Sequence, residues 1–179
     1  MFDVSKFVLE IIRNDTNLSW FGIMQDKFVS LLIPQLKMLL DNKAFIIITD
    51  NEREWFGRYI IANINSKIDQ RPILPFFLLN NLYPNVSNMK NDDLIYLNDM
   101  LNIVFQNGVN YFYIGKNNYY LLDFAKQFDD SYLWVFDEET DNSVFLSSTD
   151  FKLDIKLIQL FNVLDKSIEK TILGEIIVP

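Results

Sequence analysis

The chain has neither cysteine nor histidine in its 179 residues. The first absence removes disulfides, thiol nucleophiles and thiolate metal sites; the second removes the usual general base and the commonest zinc ligand. Glycine is scarce, at five residues, and neither a dinucleotide-binding fingerprint nor a P-loop is present. No apolar run approaches the ~18 residues of a membrane span. No cationic stretch precedes an apolar one at the N-terminus, where Phe2 to Arg13 reads as a charged amphipathic helix. A soluble, cytoplasmic protein is expected. Cations are also in the minority. With 16 basic against 24 acidic residues the formal net charge is -8, which opposes contact with phosphate backbones and argues against direct nucleic-acid binding.

What the chain does have is apolar material: half its residues are hydrophobic and 15% aromatic. That is more than an ordinary charged monomer of this length carries, so either the core is rich or some surface is hidden by self-association or a partner. The length suits one domain spanning residues 1–179, large enough to bury roughly 70% of its unfolded surface.

Lys43 to Asn65 organises the rest. Ala44 to Ile48 is a continuous, Ile-rich apolar run, the pattern of a strand covered on both faces and hence of a parallel sheet. Thr49 with Glu52 three residues on reads as a capping box, and Trp55, Phe56, Tyr59, Ile60 and Ile64 then recur at helical spacing. Strand, tight turn and helix make the first half of a βαβ unit.

Two helical segments precede this unit, Phe2 to Arg13 and about Ser19 to Asp41. Pro34 inside the second predicts a kink or two abutting helices, with Ser30 as a second cap. After a polar connection at 66–70, Ile73 to Leu79 reads as a strand that Pro75 pushes to a sheet edge or delays to Phe76. Asn80 to Asn91 reads as a loop. A helix capped by Asp92 or Asp93 follows to about Gln106, ended by Asn107-Gly108. Tyr111 to Ile114 and Tyr132 to Phe136 read as strands, separated by a short helix capped at Asn117 or Asn118. Val144 to Leu146 reads as an extra edge strand. A long helix from Phe151 to Leu173 is apolar on more than one side. The expected architecture is a doubly wound α/β domain with a mostly parallel sheet of four to five strands flanked by helices.

Ligands in such sheets sit beyond the strand carboxyl ends. Asp50, Glu52 and the cluster Asp137 to Glu139 offer carboxylates for a magnesium ion; alternatively each serves as a cap or a solvated loop acid. Gly115-Lys116-Asn117-Asn118 is either a weak anion site or a tight turn into a helix. Asn14, Asn17 and Asn85 lie in glycosylation sequons, which an Asn-rich chain produces by chance.

Asp50, Arg53, Trp55-Phe56, Tyr59-Ile60 and Asn63-Ile64-Asn65 resemble the signature of the HobA family of initiator-associating proteins. Arg71-Pro72, Tyr83-Pro84, Gly115-Lys116, Leu133-Trp134, Phe136 and, in the last helix, Asp154, Lys156-Leu157 and Gln159-Leu160-Phe161 follow in the same order. The resemblance implies a sugar-isomerase-like fold, a homotetramer, no cofactor, and an adaptor role in binding the N-terminal domain of the replication initiator DnaA. The Ser/Thr- and Gly-rich loops that hold phosphosugars in isomerase relatives are missing, so the fold is expected without the active site. The alternative is a small phosphosugar-binding or carboxylate/Mg-dependent enzyme using the strand-end acids. For a partner or intersubunit surface the candidates are Trp20, Phe21 and Met24, at the start of the second helical segment, and Ile168, Ile172 and Leu173, near the end of the last helix. Each competes with plain core packing, and Ile168→Glu is expected to disrupt assembly or initiator binding if that placement holds.

Overall fold

The computed structural model describes residues 2–66 and 71–179. A two-residue strand, β1 (Phe2–Asp3), leads into helix α1 (Val4–Asn14), a 3-10 segment from Thr16 to Ile23, and helix α2 (Gln25–Leu40). Strand β2 (Ala44–Thr49) then opens the alternation. It is followed by α3 (Glu54–Ile64), β3 (Phe76–Leu78), the single turn α4 (Leu79–Leu82), α5 (Asn91–Val104), β4 (Val109–Lys116), α6 (Tyr120–Ala125) and β5 (Tyr132–Phe136). Strand β6 (Ser143–Leu146), the long helix α7 (Leu153–Ile172) and β7 (Ile176–Ile177) complete the order.

Five strands form one sheet in the order β3-β2-β4-β5-β6, and every pairing is parallel. Strand β2 is buried along its whole length, as a strand covered on both faces must be. Its alternate side chains feed two cores. Phe45 and Ile47 join Phe112, Trp134 and Phe136 beneath α1, α2, α3 and α7. Ile46 and Ile48 join Tyr111, Tyr113 and Val135 beneath α5 and α6. Helix α3 lies close to the sheet because Gly57 has no side chain; a Cβ there would stand 2.8 Å from Leu78 Cδ1 and 3.1 Å from Thr49 Cγ2.

Several local expectations change. The helical break falls at Met24, and α2 runs straight through Pro34. Ser30 and Pro34 are both exposed, so solvent can meet the carbonyl that proline leaves unpaired, and the Ser30 hydroxyl donates to the Lys27 carbonyl instead of capping a new helix. Thr49 stays in the strand, paired with Ile114, so no capping box forms there. Asp50 caps in its place, accepting from the Arg53 amide at 2.9 Å. On α5 the Asp93 carboxylate accepts from the Lys90 amide, while the side chain of Asp92 lies outside the described residues, as does most of the 66–70 connection. No Asn side chain caps α6, which starts after Tyr119. The 80–91 stretch includes a helical turn and a 3-10 turn at Val86–Asn88. The strand after Arg71-Pro72 does start at Phe76 and does lie at an edge. Gly108, at φ 86°, ends the α5 connection in the left-handed region.

Candidate functional site

The chain leaves β2 toward β3 on one side and returns to β4 on the other, so the topological switch point lies between the carboxyl ends of β2 and β4. In doubly wound sheets this crevice is where a ligand would sit. Here it is filled from within. The buried Asp50 carboxylate spans the gap, accepting from the Lys116 amide at 2.8 Å through Oδ2 and from the Arg53 amide through Oδ1. Gly115 is what allows it so close: a Cβ at 115 would stand 2.9 Å from Asp50 Oδ2 and 2.8 Å from the Tyr113 hydroxyl. Gly115→Ala is therefore expected to lower stability by about 1–3 kcal/mol, as overpacking typically does, read as a fall in thermal midpoint. An unchanged midpoint would mean the crevice has slack.

The charges above the crevice are also paired. Lys116 Nζ donates to Glu52 at 2.6 Å, and Arg53 reaches the other Glu52 oxygen at 3.2 Å while lying over the Phe136 ring. The hydrogen bond from Lys116, with that ammonium's charge, holds Glu52 below the usual carboxylate range. Lys116 thus meets the chain's own carboxylate where an anion site had been one reading. The later acids point elsewhere. Asp137 accepts from the Ser148 amide and is lowered by that residue, and Glu138 pairs with Lys126 at 3.1 Å. Among the described residues no group of three or more acidic side chains converges on one point.

A different concavity is open. The 3-10 segment, the start of α2, β6 and the start of α7 enclose a groove of about 350 Å³ with Trp20, Ile23, Met24, Phe145, Leu146 and Leu153 in its walls. Trp20 is fixed as one wall: its indole N–H donates to Gln159 Oε1 at 2.7 Å, and Lys156 Nζ lies 4.6 Å over its ring. Lys156 is held in turn by Asp150 at 2.5 Å, which keeps the Asp150 carboxyl below its ordinary range. Lys27, donating to the Thr140 carbonyl, and Glu139 complete a charged rim. Ile23 is 95% exposed, and Phe151, beyond Asp150, is 90% exposed. An apolar floor with exposed aliphatic and aromatic edges and a polar rim is the build of a protein-recognition surface.

Of the residues singled out in the sequence, Trp20 and Met24 line this groove. Phe21 does not. It is fully buried, edge-on to Phe28 at 4.9 Å, because the three-residue repeat of the 3-10 segment stacks Leu18 and Phe21 on its one inward face. Ile168 is likewise a core residue, 2% exposed. Its position on α7 points at the sheet, so neither can be a surface contact of the folded chain. Ile172 is half-buried against the same core, and Leu173, at the helix end, is 51% exposed; both stand apart from the groove lining. Ile23, Phe145, Leu146 and Leu153 escaped sequence reasoning. The one available signal was the unbroken Trp20-Phe21-Gly22-Ile23-Met24 run, which carries more apolar bulk than a single helical face can bury.

Residues 1–178 match the family model described as HobA, a DNA replication regulator. The chain belongs to the HobA family. It is 28% identical over 153 residues to the DNA replication regulator protein HobA of Helicobacter pylori, covering 83% of this chain and 81% of that one. The fold agrees with two crystal structures of HobA from Helicobacter pylori, each 22% identical and covered over 99% of both chains. One is HobA in a complex with DnaA domains I-II, at a TM-score of 0.76, and the other HobA itself, at 0.77. The family is thus one of replication regulators. Among the described residues, no helix is long and apolar enough to cross a membrane.

Proposed function

We propose that this chain is a non-enzymatic adaptor that captures the N-terminal region of the initiator DnaA, with the groove between the 3-10 segment and β6 as the docking site, and that it does so as a homotetramer. The observation that carries the reading is a contrast between two ends of one molecule. At the switch point, the Asp50 carboxylate takes the Lys116 amide and the Glu52 carboxylate takes the Lys116 ammonium, so these groups are engaged within the chain. At the groove, Ile23 and Phe145 face solvent beside a tryptophan already locked in place. A preorganised aromatic wall lowers the entropy cost of docking, and large apolar anchors supply the affinity.

An adaptor with several equivalent sites raises the local concentration of whatever it holds, favouring initiator assembly at the origin without new initiator contacts. The net charge of -8 suits a protein that touches the initiator and leaves the DNA to it. The test is titration calorimetry of purified DnaA domains I-II into wild type and Ile23→Glu. Because Ile23 is almost wholly exposed, the variant should fold normally, and a carboxylate entering an apolar contact should weaken binding at least tenfold, about 1.4 kcal/mol. Wild-type affinity in that variant would remove the groove from the contact. Metal-dependent turnover by the purified chain would overturn the non-enzymatic reading.

A further inference from the structure

Helix α5 is apolar on two sides, and only one of them is used. Leu94, Leu97 and Leu101 enter the core above the sheet, as one stripe of an amphipathic helix should. Tyr96, Met100 and Ile103 form a second stripe at the same three- and four-residue spacing, flanked by Ile95 and Val104, and it faces solvent. Tyr96 is 71% and Ile103 78% exposed. A cleft of about 320 Å³ opens beside this stripe, between Tyr96 and Met100 on the helix and Tyr83 and Met89 on the preceding loop. The groove of the proposed initiator contact is remote from it in the fold. Its walls come from elements on the other face of the sheet and from the β6 edge, whereas α5 belongs to the core beneath α5 and α6.

We infer that the outer face of α5 is the contact between copies of this chain, two α5 helices packing antiparallel across a dyad near Met100. The spacing is what selects a second copy over an unrelated partner. Ile103 and Val104 project about one turn beyond Met100, and the cleft opens within about one turn on its other side, between Tyr96 and Met100. A dyad near Met100 therefore lays the Ile103–Val104 knob of each copy over the cleft of the other, and both are satisfied by one operation, as an isologous interface requires. The area agrees. Tyr83, Tyr96, Met100, Ile103 and Val104 together expose on the order of 600 Å², most of the roughly 800 Å² that each partner contributes to a standard interface. The composition agrees as well, with Tyr and Met at the centre of the stripe and Asp99 and Asn102 outside it.

The inference rests on the reading that the chain self-associates, and its test separates it from initiator binding. Molar mass by light scattering after size exclusion would be measured for wild type, Ile103→Glu, Met100→Glu and the groove variant Ile23→Glu, each checked by circular dichroism and then titrated with DnaA domains I-II. The expected result is a multi-chain wild type, a mass at least halved in both α5 variants, an unchanged mass in Ile23→Glu, and initiator affinity per chain retained within about threefold in the α5 variants. Either α5 variant keeping the wild-type mass while folded would overturn the inference, as would a monomeric wild type. Loss of initiator affinity without loss of mass would also overturn it, by giving this face to the initiator, and would leave the adaptor reading intact.

Discussion

Arg71→Met is expected to destabilise the fold by about 3–5 kcal/mol, the range for breaking a buried ion pair by removing one of its members. The Arg71 side chain is 1% exposed and that of Asp165 12%. The guanidinium donates to the Asp165 carboxylate, to the Ile64 carbonyl at the end of α3, and to the Asp165 carbonyl at 3.3 Å on α7. One side chain thus closes the end of α3, the approach to β3 and the middle of α7 together. Methionine fills the volume of the stem but supplies no cation and no donor, so the Asp165 carboxylate and the Ile64 carbonyl lose the hydrogen bonds of the guanidinium. For a chain of this length each kcal/mol lowers the thermal midpoint by roughly 2–4 °C, so a fall of about 6–20 °C is expected by calorimetry. Arg71→Met combined with Asp165→Leu should recover most of the loss, because the pair costs desolvation that two apolar side chains do not. A single variant as stable as wild type would show that solvent reaches the site.

Ile168→Glu is expected to abolish the native fold and with it every assembly. Ile168 lies with Leu36, Phe45, Phe76, Phe112 and Leu164 around a small internal void, on the sheet side of α7. No cation is among these neighbours, so a carboxylate there must either ionise unpaired or be buried neutral. Either costs several kcal/mol in a domain whose whole stability is of order 5–15 kcal/mol. The milder Ile168→Ala removes only contacts and should cost about 2–5 kcal/mol. Leu173→Glu, five residues on and half exposed, should change stability by no more than about 0.5 kcal/mol. Urea unfolding of the three variants checks the order. A soluble Ile168→Glu protein with wild-type unfolding would return this residue to the surface, as a contact candidate rather than a core residue.

The fate of Ile168 shows where the sequence stops being informative. The Leu157, Phe161, Leu164, Ile168 and Ile172 stripe was legible as the apolar face of a long helix, and the surplus of Ile155, Ile158, Leu160 and Val163 suggested a second covered side. The structure buries Leu160 and Val163 within the chain and leaves Ile155 exposed. Periodicity states that a face is apolar; it does not state what lies against it. The same limit applies to Phe21, for which the sequence leaves a partner surface and core packing both open, and to the outer stripe of α5, whose Tyr96, Met100 and Ile103 escape notice beside the stronger Leu94, Leu97 and Leu101 pattern. The β1–β7 pair, two residues on each side, is too short for any alternation to register.

Asp50 and Gly115 carry the same lesson for the candidate site. The acid and the glycine were both visible as strand-end residues, but they are 65 positions apart, and only the β2–β4 register brings the carboxylate onto the Lys116 amide. The groove is assembled in the same way, from residue 20 to residue 156.

Composition, the Ile-rich β2 run and the alternation of strand and helix patterns were enough to set the fold class, the parallel sheet and the edge position of β3, because each follows from local burial and local backbone preference. Which apolar faces meet each other, which acids are consumed internally and which aromatics stay open to a partner were decided only by tertiary structure, because those outcomes depend on strand order and on the side of the sheet each helix takes, and no window of neighbouring residues encodes either.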